Sequence, residues 1–241
     1  METNRSLRIA LSGYGRMGRE VEKVACAKGH GIVCRINDGK DWEKALPALK
    51  EAQVVIDFSE PSCAAENIGR CFDLHLPVVV GTTGWDAARD ALKARCLQEG
   101  QALMEASNFS IGVYLFMATA RFLAEKMNAQ PQYAAGIEET HHIHKLDKPS
   151  GTAITLAKEV CGEMERYGDW KSLPITSFRE GEVFGIHTLT FDSEVDTVTL
   201  RHEAKSRQSF AAGAVRAAEW LAATCAGGKQ GWFGMKDMMG F

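Results

Sequence analysis

Short apolar runs alternate with longer amphipathic stretches through the first hundred residues. Leu7 to Leu11, then Ile32, Val33 and Ile36, then Val54 to Phe58, Pro77 to Val80 and Ala102 to Glu105 each read as a short strand. The intervals carry helical periodicity, as Val21, Val24 and Ala25 do after the first run, and this spacing predicts a doubly wound sheet. Gly112 to Met127 predicts a longer helix whose stripe of Val113, Phe116, Ala120, Leu123 and Met127 is most simply a core face. Tyr133 to Glu139 reads as a further strand, and helical spacing resumes at Ile154, Leu156, Ala157 and Val160. From Ile175 to Arg207 the pattern becomes alternating. Thr188, Thr190, Thr197 and Thr199 interleave with apolar neighbours around a turn at Asp192 to Asp196, which predicts two or three antiparallel strands. Phe210 to Thr224 forms an apolar helix that could return to the first domain, making the region between an insertion.

The first strand runs into Ser12-Gly13-Tyr14-Gly15-Arg16-Met17-Gly18. In a strand-loop-helix context, Gly13 permits a tight turn, Gly15 lets the backbone approach a pyrophosphate and Gly18 allows close helix packing. The second strand ends in Asn37-Asp38, twenty residues beyond Gly18, where an acid can bind ribose hydroxyls; Asn37-Asp38-Gly39 is equally well composed as a turn. Arg35 would favour a 2′-phosphate, so NADH and NADPH both remain open. Gly81-Thr82-Thr83-Gly84 and Ala106-Ser107-Asn108-Phe109-Ser110 follow two later strands at the ends where a nicotinamide and its ribose would lie, although either could be a plain turn.

The densest chemistry lies from Glu138 to Ala153, EETHHIHKLDKPSGTA. His141 and Lys145 share a face of either a strand or a helix. Extended, they would stand about 13 Å apart at ~3.3 Å per residue, so joint action on one small substrate requires a bend near Ile143. Pro149 and Gly151 supply irregular backbone. Ser150, Gly151 and Thr152 then open a helix whose unpaired N–H groups suit a carboxylate. With Lys145 and Lys148 near, this describes a cationic pocket for a small acid, equipped with proton donors of different pKa. His142 and His144 are one pair, short of the three or four ligands of a zinc site, and no Cys-x-x-Cys or His-Glu-x-x-His occurs, so no metal is expected.

HHIHKLDKPSGTA resembles the H-H-x-x-K-x-D-A-P-S-G-T-A signature of the dihydrodipicolinate reductase family, with Lys148 where the family usually has Ala. The Arg-Met-Gly of the glycine loop, the Gly-Thr-Thr-Gly loop and the Asn-Phe-Ser-x-Gly segment are similar to that family in order and spacing. Tyr14 stands between Gly13 and Gly15 where many relatives have G-x-x-G, and Asn37 stands where relatives often carry an acid.

The resemblance implies an α/β fold: a Rossmann-like nucleotide-binding domain, residues 1–110 and 208–241, with an inserted α+β substrate-binding and oligomerisation domain, residues 111–207, carrying a mixed open sheet. It implies reduction of a small cyclic dicarboxylate in lysine biosynthesis through diaminopimelate, with His141 and Lys145 as the proton-donating pair. His142, Gly151 and Thr152 would hold substrate. Gly13, Gly15, Arg16, Met17, Gly18, Asn37, Asp38, Gly81, Thr82, Thr83, Ala106, Ser107, Asn108 and Phe109 would hold NADH or NADPH, and Arg207 would contact cofactor or substrate. The family's sheet-mediated homotetramer is the implied assembly.

Composition excludes other classes. At 241 residues, 45% hydrophobic, 24% charged and formal net charge -3, the chain can bury a sizeable core and carries no basic block for nucleic acid. No apolar stretch approaches the ~20 residues of a membrane span, and Met1 to Ser6 is too short and polar for a signal peptide. Seven scattered cysteines read as reduced packing residues of a cytoplasmic protein. Two rivals stand against a reductase of this family: a semialdehyde or sugar dehydrogenase, and a nonenzymatic nucleotide sensor. A semialdehyde dehydrogenase would need a catalytic thiol, and no cysteine sits where that chemistry wants one; sugar dehydrogenases lack the His-His-x-x-Lys and Pro-Ser-Gly-Thr pairing present here, and a sensor should lose the proton donors this chain keeps.

Overall fold

The computed structural model describes residues 6–241. Met1 to Arg5, most of the segment read as too polar for a signal peptide, lie outside the described residues. The chain divides into two compact units: one runs to Ser110 and resumes from Gln208 to Phe241, and the other is Ile111–Arg207.

The first unit is a parallel sheet of six strands, β1 (Arg8–Ser12), β2 (Gly31–Ile36), β3 (Val54–Asp57), β4 (Val78–Val80), β5 (Ala102–Glu105) and β10 (Gly231–Phe233), in the order β10-β5-β4-β3-β1-β2. Val54, Val55 and Ile56 of β3 and all of β4 are buried, the continuous apolar pattern of strands covered on both faces. Helices α1 (Arg16–Ala27), α2 (Gly39–Leu49), α3 (Pro61–Asp73) and α4 (Asp86–Gln98) connect the strands. Pro61 sits at the start of α3, where its missing N–H costs no helical bond. The chain passes from β1 outward to β2 and then back across to β3, so the strand order reverses between β1 and β3. Loops at that reversal form the usual ligand crevice of such sheets. Helix α7 (Gln208–Ala226) packs on α1, where Glu219 bonds both Lys28 and His30 at 2.8 Å. The short strand β10 and helix α8 (Met235–Met239) were not legible in the apolar pattern.

The second unit is a four-stranded sheet, β7-β6-β8-β9, with α5 (Ile111–Asn128) and α6 (Gly151–Glu163) on one face. Strand β6 (Ala134–His141) runs two residues further than the apolar pattern predicts, because Glu139 and His141 continue the inward-facing alternation. Strands β8 (Ile186–Asp192) and β9 (Thr197–Glu203) are antiparallel to their neighbours as expected. Strand β7 (Ile175–Arg179) makes the sheet mixed, as the resemblance implies: it pairs parallel to β6, reached by the crossover through α6. Ala135, Ile137, Leu189 and Phe191 of the sheet close the core against Phe116, Ala120, Leu156 and Val160.

Candidate functional site

In the first unit the end of β1, the loops after β3 and β4 and helix α3 converge on one buried carboxylate. Asp57 accepts hydrogen bonds from Ser12 Oγ (2.6 Å), Thr82 Oγ1 (2.6 Å), Ser59 Oγ (2.9 Å) and Asn67 Nδ2 (3.1 Å). Asn67 in turn accepts from Trp42 Nε1 at 2.9 Å. In the sequence Asp57 shows only as an acid ending the apolar run Val54 to Phe58, the one local signal of a buried polar hub.

Around that hub the glycines divide their work. Gly13 has φ +82°, and a Cβ there would lie 2.3 Å from the Phe58 carbonyl oxygen; a Cβ at Gly18 would lie 2.2 Å from the Gly13 oxygen. Both are packing requirements. At Gly15 a Cβ would meet nothing within 4 Å, so open space lies over the backbone at the first turn of α1, where a pyrophosphate fits. Arg16 and Met17 begin that helix, with Arg16 exposed. Asn37 Oδ1 accepts from Tyr14 N at 3.2 Å, and Asp38 caps α2 by accepting from Lys40 N and Asp41 N at 2.8 and 3.1 Å. Arg35 is bonded to Glu22 and lies 5.5 Å from the Tyr14 ring centroid.

A cavity of ≈ 160 Å³ is bounded by Thr82, Thr83, Trp85, Ala106 and Ser107. The Thr82 hydroxyl is spent on Asp57, and its carbonyl accepts from Trp85 Nε1 at 2.7 Å. Gly81 backs directly on the Phe58 ring. Phe109 is buried, edge-on to Phe58 with centroids 6.2 Å apart, so its ring is a packing group, and Asn108 Oδ1 accepts from Ser110 N at 2.9 Å.

In the second unit the histidine segment bends at Ile143, as the spacing requires. Ile143 N donates to Gly181 O (3.1 Å) and Lys145 N to His142 O (3.1 Å), after which the chain passes a cis Lys148–Pro149 bond into α6. Register then assembles what the sequence had scattered. Glu139 of β6 pairs with His187 of β8, which pairs with His202 of β9, all on the helix-covered face. His141 Nδ1 contacts Glu139 Oε2, and the His141 and His187 rings stand edge to face with centroids 5.1 Å apart. Ser150 caps α6 by accepting from Ala153 N (3.2 Å), donates its own N–H to Glu139 Oε1 (3.3 Å) and meets His187 Nε2 at 3.3 Å. Glu139, His187 and Arg179 were not singled out from sequence, because the pairing that joins them is non-local.

Burial drives the His141 imidazole below its ordinary pKa, with the Lys145 and Arg179 cations adding to the fall and Glu139 opposing it. His187 is pushed down to about 4 by burial and then by His141. Burial would raise Glu139, but hydrogen bonds from Ser177, Ser150 and Arg179 and the attraction of His141 hold it low. Lys145 Nζ binds Asp147 Oδ1 at 2.8 Å, and that carboxylate is held low by Lys145 and the Gly151 amide against the effect of its burial.

Among the described residues His142 Nδ1 is buried without a hydrogen-bond partner, while Gly151 borders open space and, with Thr152, begins α6. Lys148 is exposed. Arg207 lies 5.5 Å over the Phe184 ring, beside Gly185, at which a Cβ would come 3.0 Å from His141 Nε2. Glu139, His141 and His187 also place one potential metal-ligand atom each within 4.8 Å of one another. The Arg179 guanidinium, 3.1 Å from Glu139, opposes a second cation there.

A parallel nucleotide-type sheet with a glycine turn at its switch point, joined to a second unit bearing a His/Lys/Glu cluster, defines a nicotinamide-dependent oxidoreductase. Its N-terminal part matches the family model "Dihydrodipicolinate reductase, N-terminus" over residues 7–109, and its C-terminal part matches "Dihydrodipicolinate reductase, C-terminus" over residues 112–239. The chain belongs to the dihydrodipicolinate reductase family. It is 43% identical to the 4-hydroxy-tetrahydrodipicolinate reductase of Christiangramia forsetii, across 97% of this chain and 98% of the relative. It is 34% identical to the protein of the same name from Thiobacillus denitrificans, across 98% and 99%. Among solved structures, the dipicolinate-bound dihydrodipicolinate reductase from Paenisporosarcina sp. TG-14 shares the fold with a TM-score of 0.75 at 21% identity, covering 96% of this chain and 98% of that one. A probable dehydrogenase from Thermotoga maritima shares it more loosely, at TM-score 0.58 and 11% identity, covering 96% and 92%.

Proposed function

We propose that this chain reduces 4-hydroxy-tetrahydrodipicolinate to tetrahydrodipicolinate with loss of water, in lysine biosynthesis through diaminopimelate. The observation that carries the reading is the turn at Ile143, which brings Lys145 back beside the β6 end bearing His141, next to the exposed N-terminus of α6. When bound, the nicotinamide supplies a hydride to the conjugated imine of the cyclic dicarboxylate.

Gly13, Gly15, Arg16, Met17 and Gly18 would hold the dinucleotide's phosphates, Asn37 and Asp38 its adenosine ribose, and Gly81 to Thr83 with Ala106 to Phe109 its nicotinamide half, largely through backbone. His142 Nδ1 and the Gly151 and Thr152 amides bind substrate carboxylates. Arriving there, a carboxylate displaces Asp147 from Lys145 and the Gly151 amide. Two substrate carboxylates raise the depressed His141 pKa, so the imidazolium can give up a proton from Nε2, with Lys145 as the second donor. Arg207, over the Phe184 ring, would contact cofactor or substrate.

NADH is the preferred cofactor in this reading. Arg35 is neutralised by Glu22, and the α2 amides that would greet a 2′-phosphate already bind Asp38. The family's homotetramer is supported by the uncovered face of the second sheet, where Glu138, Thr176, Phe178 and Arg201 are exposed. Scattered unpaired cysteines suit a reducing cytoplasm, and burial of Cys96, with its thiol pushed up to about 11, speaks against a thiolate enzyme.

The test couples purified protein to a synthase that makes the unstable substrate in situ, following NADH and NADPH oxidation separately. Rapid oxidation, lost in His141→Ala and Lys145→Ala by about 10²-fold or more with nucleotide affinity retained, supports the reading. Nucleotide binding without oxidation would overturn it in favour of a sensor.

A further inference from the structure

Arg179 is placed where no proton-transfer role requires it, yet it is the most connected side chain of the second unit's polar cluster. Its side chain is only 9% exposed. Its Nε donates to the Lys145 carbonyl at 3.1 Å, and its Nη2 donates to Glu139 Oε1 at 3.1 Å and also to the Asp147 carbonyl. Its Nη1 donates to the Phe178 carbonyl at 2.6 Å. Strand β7 runs parallel to β6 with Arg179 opposite His141, so the guanidinium reaches under both the strand end and the loop that follows it. Glu139 then divides its two oxygens. Oε1 takes Arg179 and the Ser150 amide, and Oε2 faces His141 Nδ1.

We propose that Arg179 and Glu139 form a positioning clamp that fixes His141 in its Nδ1–H tautomer, Nε2 outward, and holds Lys145 in register with it. The proposal deepens the reading of His141 and Lys145 as proton donors and rests on it for its kinetic part. A guanidinium is suited to the task because its rigid fork satisfies acceptors in several fixed directions, which a lysine ammonium on a flexible stem does not. A carboxylate oxygen can only accept, so the neutral imidazole must present Nδ1–H to the Oε2 that faces it. Groups facing His141 are Glu139 from its own strand, Arg179 from β7, His187 from β8 and Lys145 from the following loop, with His202 of β9 one place further. Among these Glu139 alone favours the imidazolium.

Two variants test the clamp. In Glu139→Gln the carboxamide oxygen must turn to Arg179 and the Ser150 amide, which points its NH₂ at His141. Ring ¹⁵N shifts of histidine-labelled protein should show His141 changing from Nδ1–H to Nε2–H. The high-pH limb of kcat/KM should also move to lower pH, since the acid form is harder to reach. Arg179→Lys keeps the charge and loses the fork; kcat should fall by ~10²-fold, the scale of a small misplacement, with nucleotide affinity unchanged. An unaltered tautomer in Glu139→Gln, or wild-type kcat and pH profile in a folded Arg179→Lys, overturns the clamp. Should Arg179→Lys lose cooperative unfolding, the tautomer in Glu139→Gln decides alone. The ring shifts need no substrate, so a wild-type protein with the Nδ1–H tautomer but no turnover would sink the proposed reaction and leave the clamp standing.

Discussion

His187 stands edge-on to His141, ring centroids 5.1 Å apart and planes at 72°, on neighbouring antiparallel strands. Each imidazole is therefore part of the other's electrostatic surroundings, and both are too well buried to charge freely. His187 is held at about 4 against a reference of 6.5. Between those values the unfolded chain takes up a proton that the native one refuses, so stability is highest above pH 6.5 and declines as pH falls toward 4. The decline should reach roughly 3 kcal/mol. Thermal unfolding between pH 7.5 and 4.5 should show it, and His187→Gln should flatten part of it; an equally steep profile in the variant would reject this origin.

Asp57 gathers four side-chain donors from the end of β1, the loops after β3 and β4 and helix α3. Asp57→Ala leaves buried hydroxyls without their acceptor, which should cost about 2 kcal/mol or more. It should also loosen the Gly13 and Gly81 loops together. Urea unfolding and nucleotide titration by fluorescence would read both, and a variant with weakened stability but wild-type nucleotide affinity would separate the hub from the cofactor.

Gly15 and Gly18 should fail differently. Gly18→Ala drives a Cβ into the Gly13 carbonyl and should destabilise by about 1–3 kcal/mol. Gly15→Ala points into open space, so stability should change by no more than about 1 kcal/mol. Nucleotide affinity should nevertheless fall by about tenfold, the loss of one good contact. Equal effects on folding would contradict the open cradle.

Glu22 keeps Arg35 occupied, with its own carboxyl held below the ordinary range chiefly by that guanidinium. Glu22→Gln should free part of the Arg35 charge and raise activity with NADPH relative to NADH by a few-fold, on the order of 0.5–1 kcal/mol for an exposed ion pair. The ratio of kcat/KM for the two cofactors is the measurement, and an unchanged ratio would show that Arg35 does not face the adenosine ribose.

Much of this molecule was legible in one dimension because the signals are local. Strand, glycine turn and helix follow one another directly at Leu7 to Ala25, and Ser150 can be read as a cap from its neighbours alone. Asp38 shows the limit of such reading: its place after β2 suggested a ribose contact and a turn equally, and only the folded chain shows its carboxylate accepting from the Lys40 and Asp41 amides of α2. Arg35, open to a 2′-phosphate in sequence, is taken by Glu22 thirteen residues away.

By itself the sequence determined most of the strand and helix order and the residue types crowded between Glu138 and Ala153, since periodicity, turn chemistry and side-chain pKa are properties of neighbouring residues. Only the tertiary structure decided that β7 lies parallel to β6, and hence that Arg179 reaches Glu139, Lys145 and Asp147 at once. It likewise decided that His187 meets His141 and that Asp57 ties β1 to the loops after β3 and β4. Strand register and burial fix these pairings across 25 to 46 positions of chain, and neither quantity exists until the chain has folded.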